Sequence, residues 1–145
     1  MGNMGKTRDL SVAEYYDVIQ REYLIAEFRK KIYYNPKDKA YYERVMTHKR
    51  EKINDIASRN HLDSIFTAPE LLREIRAELF DSAGHPTFLL TEEDQRNYFA
   101  VGNEFSYRGE IWTLEEVTED RMLVLSSVKK GKRVRVNTDE VCRIL

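Results

Sequence analysis

Residue types that build covalent or metal-held frameworks are scarce in this sequence. Its 145 residues include three histidines, six glycines and one cysteine, Cys142. A single cysteine excludes an internal disulfide and fits a reducing compartment, so we expect a cytoplasmic protein. With no second cysteine and no His-Glu-x-x-His motif, the sequence also lacks the ligand pattern of a zinc site. We therefore expect neither a metal nor a cofactor.

Long apolar stretches are missing as well. Runs such as Met122–Leu125 are far too short to span a membrane. The first ten residues, MGNMGKTRDL, lack the apolar core of a signal peptide. Hydrophobic residues nevertheless make up 41% of the chain and charged residues 34%, which is typical of a charge-rich globular protein rather than a disordered one.

No concentrated catalytic pattern is visible in the sequence. His48 and His61 are separated too widely along the chain to form a ligand pair, and Cys142 has no histidine near it. The Lys130-Gly131-Lys132 run lacks the strand–loop–helix context of a nucleotide-binding loop. We expect a non-enzymatic protein. An enzyme whose site is assembled from residues distant in sequence is an alternative.

The charge is nearly balanced in total but uneven along the chain. The net charge is −1, which argues against a protein that coats nucleic acid by bulk charge. Residues 1–61 carry 13 Lys/Arg and 9 Asp/Glu, residues 62–100 carry 3 and 8, and residues 101–145 carry 8 of each. A basic front and an acidic middle are compatible with a nucleoprotein partner without requiring one.

Two long helices are predicted in the first 60 residues. Ser11 and Glu14 form a capping-box pattern, followed by apolar residues at helical spacing, which predicts a helix over about 11–34. Asn35-Pro36 ends this helix and starts a second one over about 36–59, because proline disfavours helical geometry in the residue before it and suits the first helical turn. We expect the two helices to form an antiparallel hairpin.

Two shorter helices follow. A second capping-box pattern, Thr67-Ala68-Pro69-Glu70, predicts a helix over about 68–80. After a linker at 82–86, the segment that starts at Thr91 predicts a short acidic helix over about 91–99. We assign residues 1–100 to one helical region.

From Val101 the apolar period changes from helical to alternating. The pattern predicts strands at 104–107, 110–117, 121–128, 133–137 and 142–145, with one helical turn just before the last strand. The segments VGNEFSYRGEIWTLEEV, MLVL and KRVRVNTDEVCRIL, with their five short strands, resemble the small SH3-like barrels that include Tudor-like and KOW-like modules. The resemblance covers about the last third of the chain and implies a five-stranded antiparallel SH3-like barrel at 101–145. Together with the helical region predicted at 1–100, it gives an α+β protein.

The best candidate contact is the predicted hairpin around Gly131. Val134 and Val136 alternate toward the core, so Arg133 and Arg135 point to the other face. The candidate phosphate or partner contacts are Lys129, Lys130, Lys132, Arg133 and Arg135. The alternative is structural, since a charged edge also discourages strand-to-strand aggregation.

A second candidate surface surrounds the break between the two long helices, where basic and aromatic residues mix. Its members are Arg29, Lys30, Lys31, Tyr33, Tyr34, Lys37, Lys39 and Tyr41. Cations mixed with aromatic rings suit a surface that follows a nucleic-acid backbone and stacks bases. The alternative is an ion-paired, solvated face, because Glu22, Glu27, Glu43 and Glu51 are interspersed.

These features favour a binding protein or regulator that docks on a nucleic-acid-handling complex. It would contact a protein partner through the helices or the acidic 62–100 region, and phosphate through the basic hairpin. One form of this hypothesis is an inhibitor carried by a phage or mobile element, whose acidic region mimics nucleic acid. The alternative is a structural protein that forms homo-oligomers through its long helices and has no nucleic-acid contact.

Overall fold

The computed structural model describes residues 11–127 and 129–145. Its helices are α1 (Val12–Ile32), α2 (Pro36–Asn60), α3 (Pro69–Leu79) and α4 (Glu92–Tyr98). Its strands are β1 (Glu104–Tyr107), β2 (Glu110–Val117), β3 (Leu123–Ser127), β4 (Lys132–Val136) and β5 (Cys142–Arg143), with a 3-10 turn at Thr138–Glu140. The α+β class is therefore confirmed. None of these helices is long and apolar enough to cross a membrane.

The chain divides into two compact units, and the division differs from the predicted one. The first unit holds α2, α3 and α1 up to Lys30, and the second holds residues 31–35 together with 80–145. The predicted boundary at 100/101 therefore misplaces α4, which belongs with the sheet. The physical reason is a set of bonds between distant residues: the Tyr33 hydroxyl donates to Asp94 at 2.6 Å, and the Arg143 guanidinium donates to Asn97 O at 2.8 Å.

The helical unit begins with the predicted capping box. Ser11 N donates to Glu14 Oε1 at 3.3 Å, and Glu14 N donates to Ser11 Oγ at 3.2 Å. Before α3 the predicted capping box does not form, because the Thr67 hydroxyl accepts a bond from Ser64 N at 3.0 Å instead. Thr67 thus stabilises the turn that precedes the helix.

The loop after α2 is fastened to α1 by buried polar groups. The Tyr16 hydroxyl donates to Asp63 O at 2.6 Å, and Gln20 Oε1 accepts from Ile65 N at 2.9 Å. Gln20 is buried, so this bond satisfies a side chain that would otherwise destabilise the interior. Both bonds lie within the first unit.

The second unit contains one open antiparallel sheet with strand order β4-β3-β2-β1-β5. The core of this unit includes the buried apolar side chains Phe105, Trp112, Leu114, Leu123, Leu125 and Val136. The third strand is shorter than predicted, since Thr118 N donates to Met122 O at 2.8 Å and Arg121 has a positive φ of 63°. A turn therefore occupies its first two predicted residues, while its last one, Val128, lies outside the described residues.

Candidate functional site

The β3–β4 hairpin has the alternation that the sequence predicts. Leu123 pairs with Val136 and Leu125 pairs with Val134, so both valines face the core side of the sheet. Arg135 lies opposite Val124 on the other face and is exposed. Gly131, at the tip, has a φ of +62°, a conformation that costs glycine little.

Three of the five hairpin cations are paired with acids of the same unit. Lys130 Nζ contacts the Glu110 carboxylate. Arg133 Nε lies 3.1 Å from Glu115 Oε1, and an Arg135 terminal nitrogen lies 3.1 Å from Asp120 Oδ1. The acids sit on β2 or on the turn that follows it.

The Arg133–Glu115 pair reaches across a strand, because β3 lies between β4 and β2 in the sheet. A bulge in β2 between Leu114 and Glu116 sets the local position of Glu115. In the β2–β3 turn, a hydrogen bond from the Thr118 hydroxyl lowers the pKa of Asp120, and Arg135 lowers it further. Asp120 is a carboxylate at neutral pH and pairs with Arg135.

Lys129 and Lys132 differ from the other three. Both are exposed, and within 11–127 and 129–145 the structure shows no ion pair for either. Of the five hairpin cations, two lysines are therefore unpaired among the described residues, and the other three side chains each pair with an acid.

Several side chains of the second candidate surface are buried or already bonded to other residues of the chain. Tyr33 is 2% exposed and bonds to buried Asp94, so we correct the prediction that it contacts a partner. The ring of Tyr33 is buried in the second unit. In the first unit, Lys30 pairs with Glu43, and Lys39 Nζ donates to Lys30 O at 2.7 Å.

The remaining members of that set do not form one patch within a single unit. Tyr34 and Lys31 are exposed and belong to the second unit. Lys37 and Tyr41 are exposed and belong to the first, as does half-buried Arg29. The residues that the sequence suggested as one basic-aromatic surface are therefore distributed over both units.

An apolar groove in the second unit was not predicted. Its volume is about 1210 Å³, and twenty residues line it. Leu89, Tyr34 and Val101 lie on this groove with 90%, 70% and 65% exposure. The only trace of it in the sequence is the apolar run Phe88-Leu89-Leu90, which fits neither a helical nor a strand period.

One wall of the groove carries a histidine–carboxylate pair. His85 Nδ1 lies 3.1 Å from Asp81 Oδ2, and His85 Nε2 contacts Val141 O. The backbone N–H of His85 is the largest cause that lowers the pKa of Asp81. This pair fastens the 81–85 segment to the residue before β5.

The neighbouring thiol is not prepared for catalysis. Burial raises the pKa of Cys142, which keeps it protonated, whereas a nucleophilic cysteine needs thiolate character. Both ring nitrogens of His85 face oxygen atoms rather than the sulfur. Among the described residues there is also no group of three or more His, Cys, Asp or Glu side chains that could hold a metal ion.

Comparison with known proteins identifies no relative for this chain. No family model, no curated protein and no solved structure matches it.

Proposed function

We propose that this chain is a non-enzymatic binding protein that regulates a nucleic-acid-handling complex, with the β3–β4 hairpin as its phosphate contact. The observation that carries the proposal is the exposure of all five hairpin cations on one short hairpin, two of them without an ion pair to any residue that the structure describes. Lys129 and Lys132 make the first contacts with phosphate.

The three paired cations remain able to exchange partners. An exposed ion pair stabilises a protein by only about 0–1 kcal/mol. Arg133 and Arg135 carry planar guanidinium groups that bind phosphate through two parallel hydrogen bonds. A phosphate that approaches the hairpin therefore competes with Glu115 and Asp120 at modest cost.

The proposal includes an SH3-like identity for the sheet. Five short antiparallel strands, a 3-10 turn before the last one, and pairing of β5 with β1 support it. Folds of this kind host many functions, so the fold alone supports no partner. The acidic 62–100 region is proposed to face the protein component of the complex, where it would oppose a basic surface.

Binding of labelled single-stranded and duplex DNA, measured by fluorescence anisotropy at rising salt, tests the phosphate contact. The double variant Lys129→Gln/Lys132→Gln should weaken binding and reduce the slope of log affinity against log salt by about 1.4–1.8, since each of the two phosphate contacts contributes about 0.7–0.9.

A charge-matched control separates a specific contact from bulk charge. Arg59→Gln/Arg73→Gln removes two exposed cations from α2 and α3 and should leave the slope unchanged. Equal losses in both double variants, or no binding by the unaltered protein at low salt, would rule out the hairpin as the contact.

A further inference from the structure

The groove of the second unit exposes apolar side chains that a folded protein normally buries. Leu89, at 90% exposure, is the most exposed large apolar side chain of the described residues, and Tyr34 and Val101 lie on the same groove. Half-buried Phe88 and Phe99 also line it. Contiguous exposed apolar surface of this kind marks an interaction site more often than scattered single residues do.

The size of the groove favours a protein surface over a small molecule. Its volume of about 1210 Å³ exceeds the roughly 300–1,000 Å³ of ordinary ligand pockets. Twenty residues line it, which approaches the roughly 20–30 residues that each partner contributes to a stable protein interface.

The charges on the groove distinguish between possible partners. Three acids, Asp81, Glu92 and Asp139, and two arginines, Arg96 and Arg121, line it. A surface of one sign would repel its own copy, whereas this mixture of signs allows an acid of one copy to meet an arginine of another.

The two arginines are held only weakly in place. Arg96 lies 4.0 Å from Glu92, and Arg121 donates to Gln95 at 3.4 Å. Both contacts are at the outer limit of their class, so either side chain can turn toward a carboxylate of a second molecule at little cost.

The groove also carries its own projecting group. A two-fold symmetric interface uses the same patch on both molecules, so that patch must supply both the projection and the hollow. Leu89 projects into solvent, and the less exposed Leu90, Phe99 and Leu123 line the same groove.

We propose that the groove binds a second copy of this chain in a two-fold symmetric dimer, with Leu89 of each copy inserted into the groove of the other. This surface differs from the long helices through which the sequence predicts oligomerisation, and it is independent of the phosphate contact of the hairpin.

Sedimentation equilibrium of the full chain over a wide concentration range tests the proposal. The unaltered protein should associate to a dimer, and Leu89→Glu should raise the dimer dissociation constant at least about tenfold, because a central apolar anchor is replaced by a charge. Ile111→Glu is the matched control, since Ile111 on β2 is 61% exposed and does not line the groove. It should leave dimerisation unchanged.

Charge reversal provides a second arm that does not depend on the apolar contact. Arg121→Glu should weaken the dimer, and adding Asp139→Arg should recover part of the loss because both signs are then present again. A monomer at every concentration, equal effects of Leu89→Glu and Ile111→Glu, or no recovery in the double charge variant would overturn the proposal. Hairpin variants should leave the dimer intact, so failure of the dimer and failure of the phosphate contact are distinguishable.

Discussion

The basic face of the β3–β4 hairpin and the apolar groove belong to the same unit. They differ in how many of their side chains find a partner within that unit. On the hairpin, Lys130, Arg133 and Arg135 each find an acid within the unit. In the groove, Leu89 and Val101 find no cover in the described structure. Most of the positive charge on the hairpin is therefore neutralised by acids of the same unit. The apolar side chains of the groove, in contrast, stay exposed to water.

The difference follows from the ranges of the two interactions. A long charged side chain can reach a carboxylate two strands away, so a sheet with equal numbers of acids and bases compensates itself. An apolar side chain is stabilised only by direct burial, and a short segment at the edge of a small unit has nothing to bury it.

The largest expected change in stability comes from a comparison of a buried apolar residue with an exposed one. Phe105 is fully buried in the sheet core, and Phe105→Ala should lower the free energy of unfolding by about 3–5 kcal/mol. Leu89→Ala should change it by no more than about 0.5 kcal/mol, since the side chain is already in water. Urea unfolding at a protein concentration where the chain is monomeric measures both. A large loss for Leu89→Ala would mean that the groove is a packed part of the fold.

Alkaline pH tests whether the floor of the groove is dry. Tyr98 lines the groove but is buried, and this burial raises its pKa to about 12. The unfolded chain loses that proton near pH 10, so the folded state binds more protons between pH 10 and 12 and stability should fall there by up to about 3 kcal/mol. Below pH 10 the contribution is fully present.

Unfolding of the Tyr98→Phe variant over the same pH range isolates this contribution. The variant should lose less stability between pH 10 and 12 than the unaltered protein does. Identical pH profiles for the two proteins would show that the hydroxyl of Tyr98 is hydrated.

A buried polar bond should be worth more than an exposed one. Tyr33→Phe removes the hydroxyl that donates to Asp94, whose side chain is 0% exposed. The loss of this donor should cost about 1–3 kcal/mol, because the carboxylate is left with one fewer partner away from water. Thermal or urea unfolding measures the change, and Tyr34→Phe, at an exposed neighbouring ring, is the control that should be neutral.

The smallest effect is expected on the hairpin itself. A double-mutant cycle with Glu115→Gln and Arg133→Gln should give a coupling below about 1 kcal/mol, since both side chains are partly solvated. A coupling of the same size as the Tyr33 effect would show that the pair is structural and that phosphate cannot displace it easily.

Interactions between residues close together in the sequence made much of the fold predictable. Ser11 and Glu14 mark the start of α1, Asn35-Pro36 marks the break before α2, and period-two alternation gives β1 and β2 with their observed bounds. Each of these features depends on residues within a few positions of one another.

What could not be predicted depends on distant pairs. Tyr33 reads as an exposed aromatic beside basic residues until Asp94 is brought next to it, and this contact also moves the unit boundary. Arg133 reads as a free cation until the register of β2, β3 and β4 places Glu115 within reach. No periodicity announces the groove, since its lining comes from separate segments of the second unit.

The central claim is that the hairpin cations bind phosphate and that neighbouring acids compete with it. The most direct test is the DNA affinity, at several salt concentrations, of the variant Glu110→Gln/Glu115→Gln/Asp120→Asn, which keeps every cation and removes the three carboxylates that oppose them. We predict tighter binding than that of the unaltered protein and loss of the gain when Arg133→Gln and Arg135→Gln are added. Unchanged affinity in the acid-neutralised variant, or a gain that survives removal of both arginines, would contradict the account.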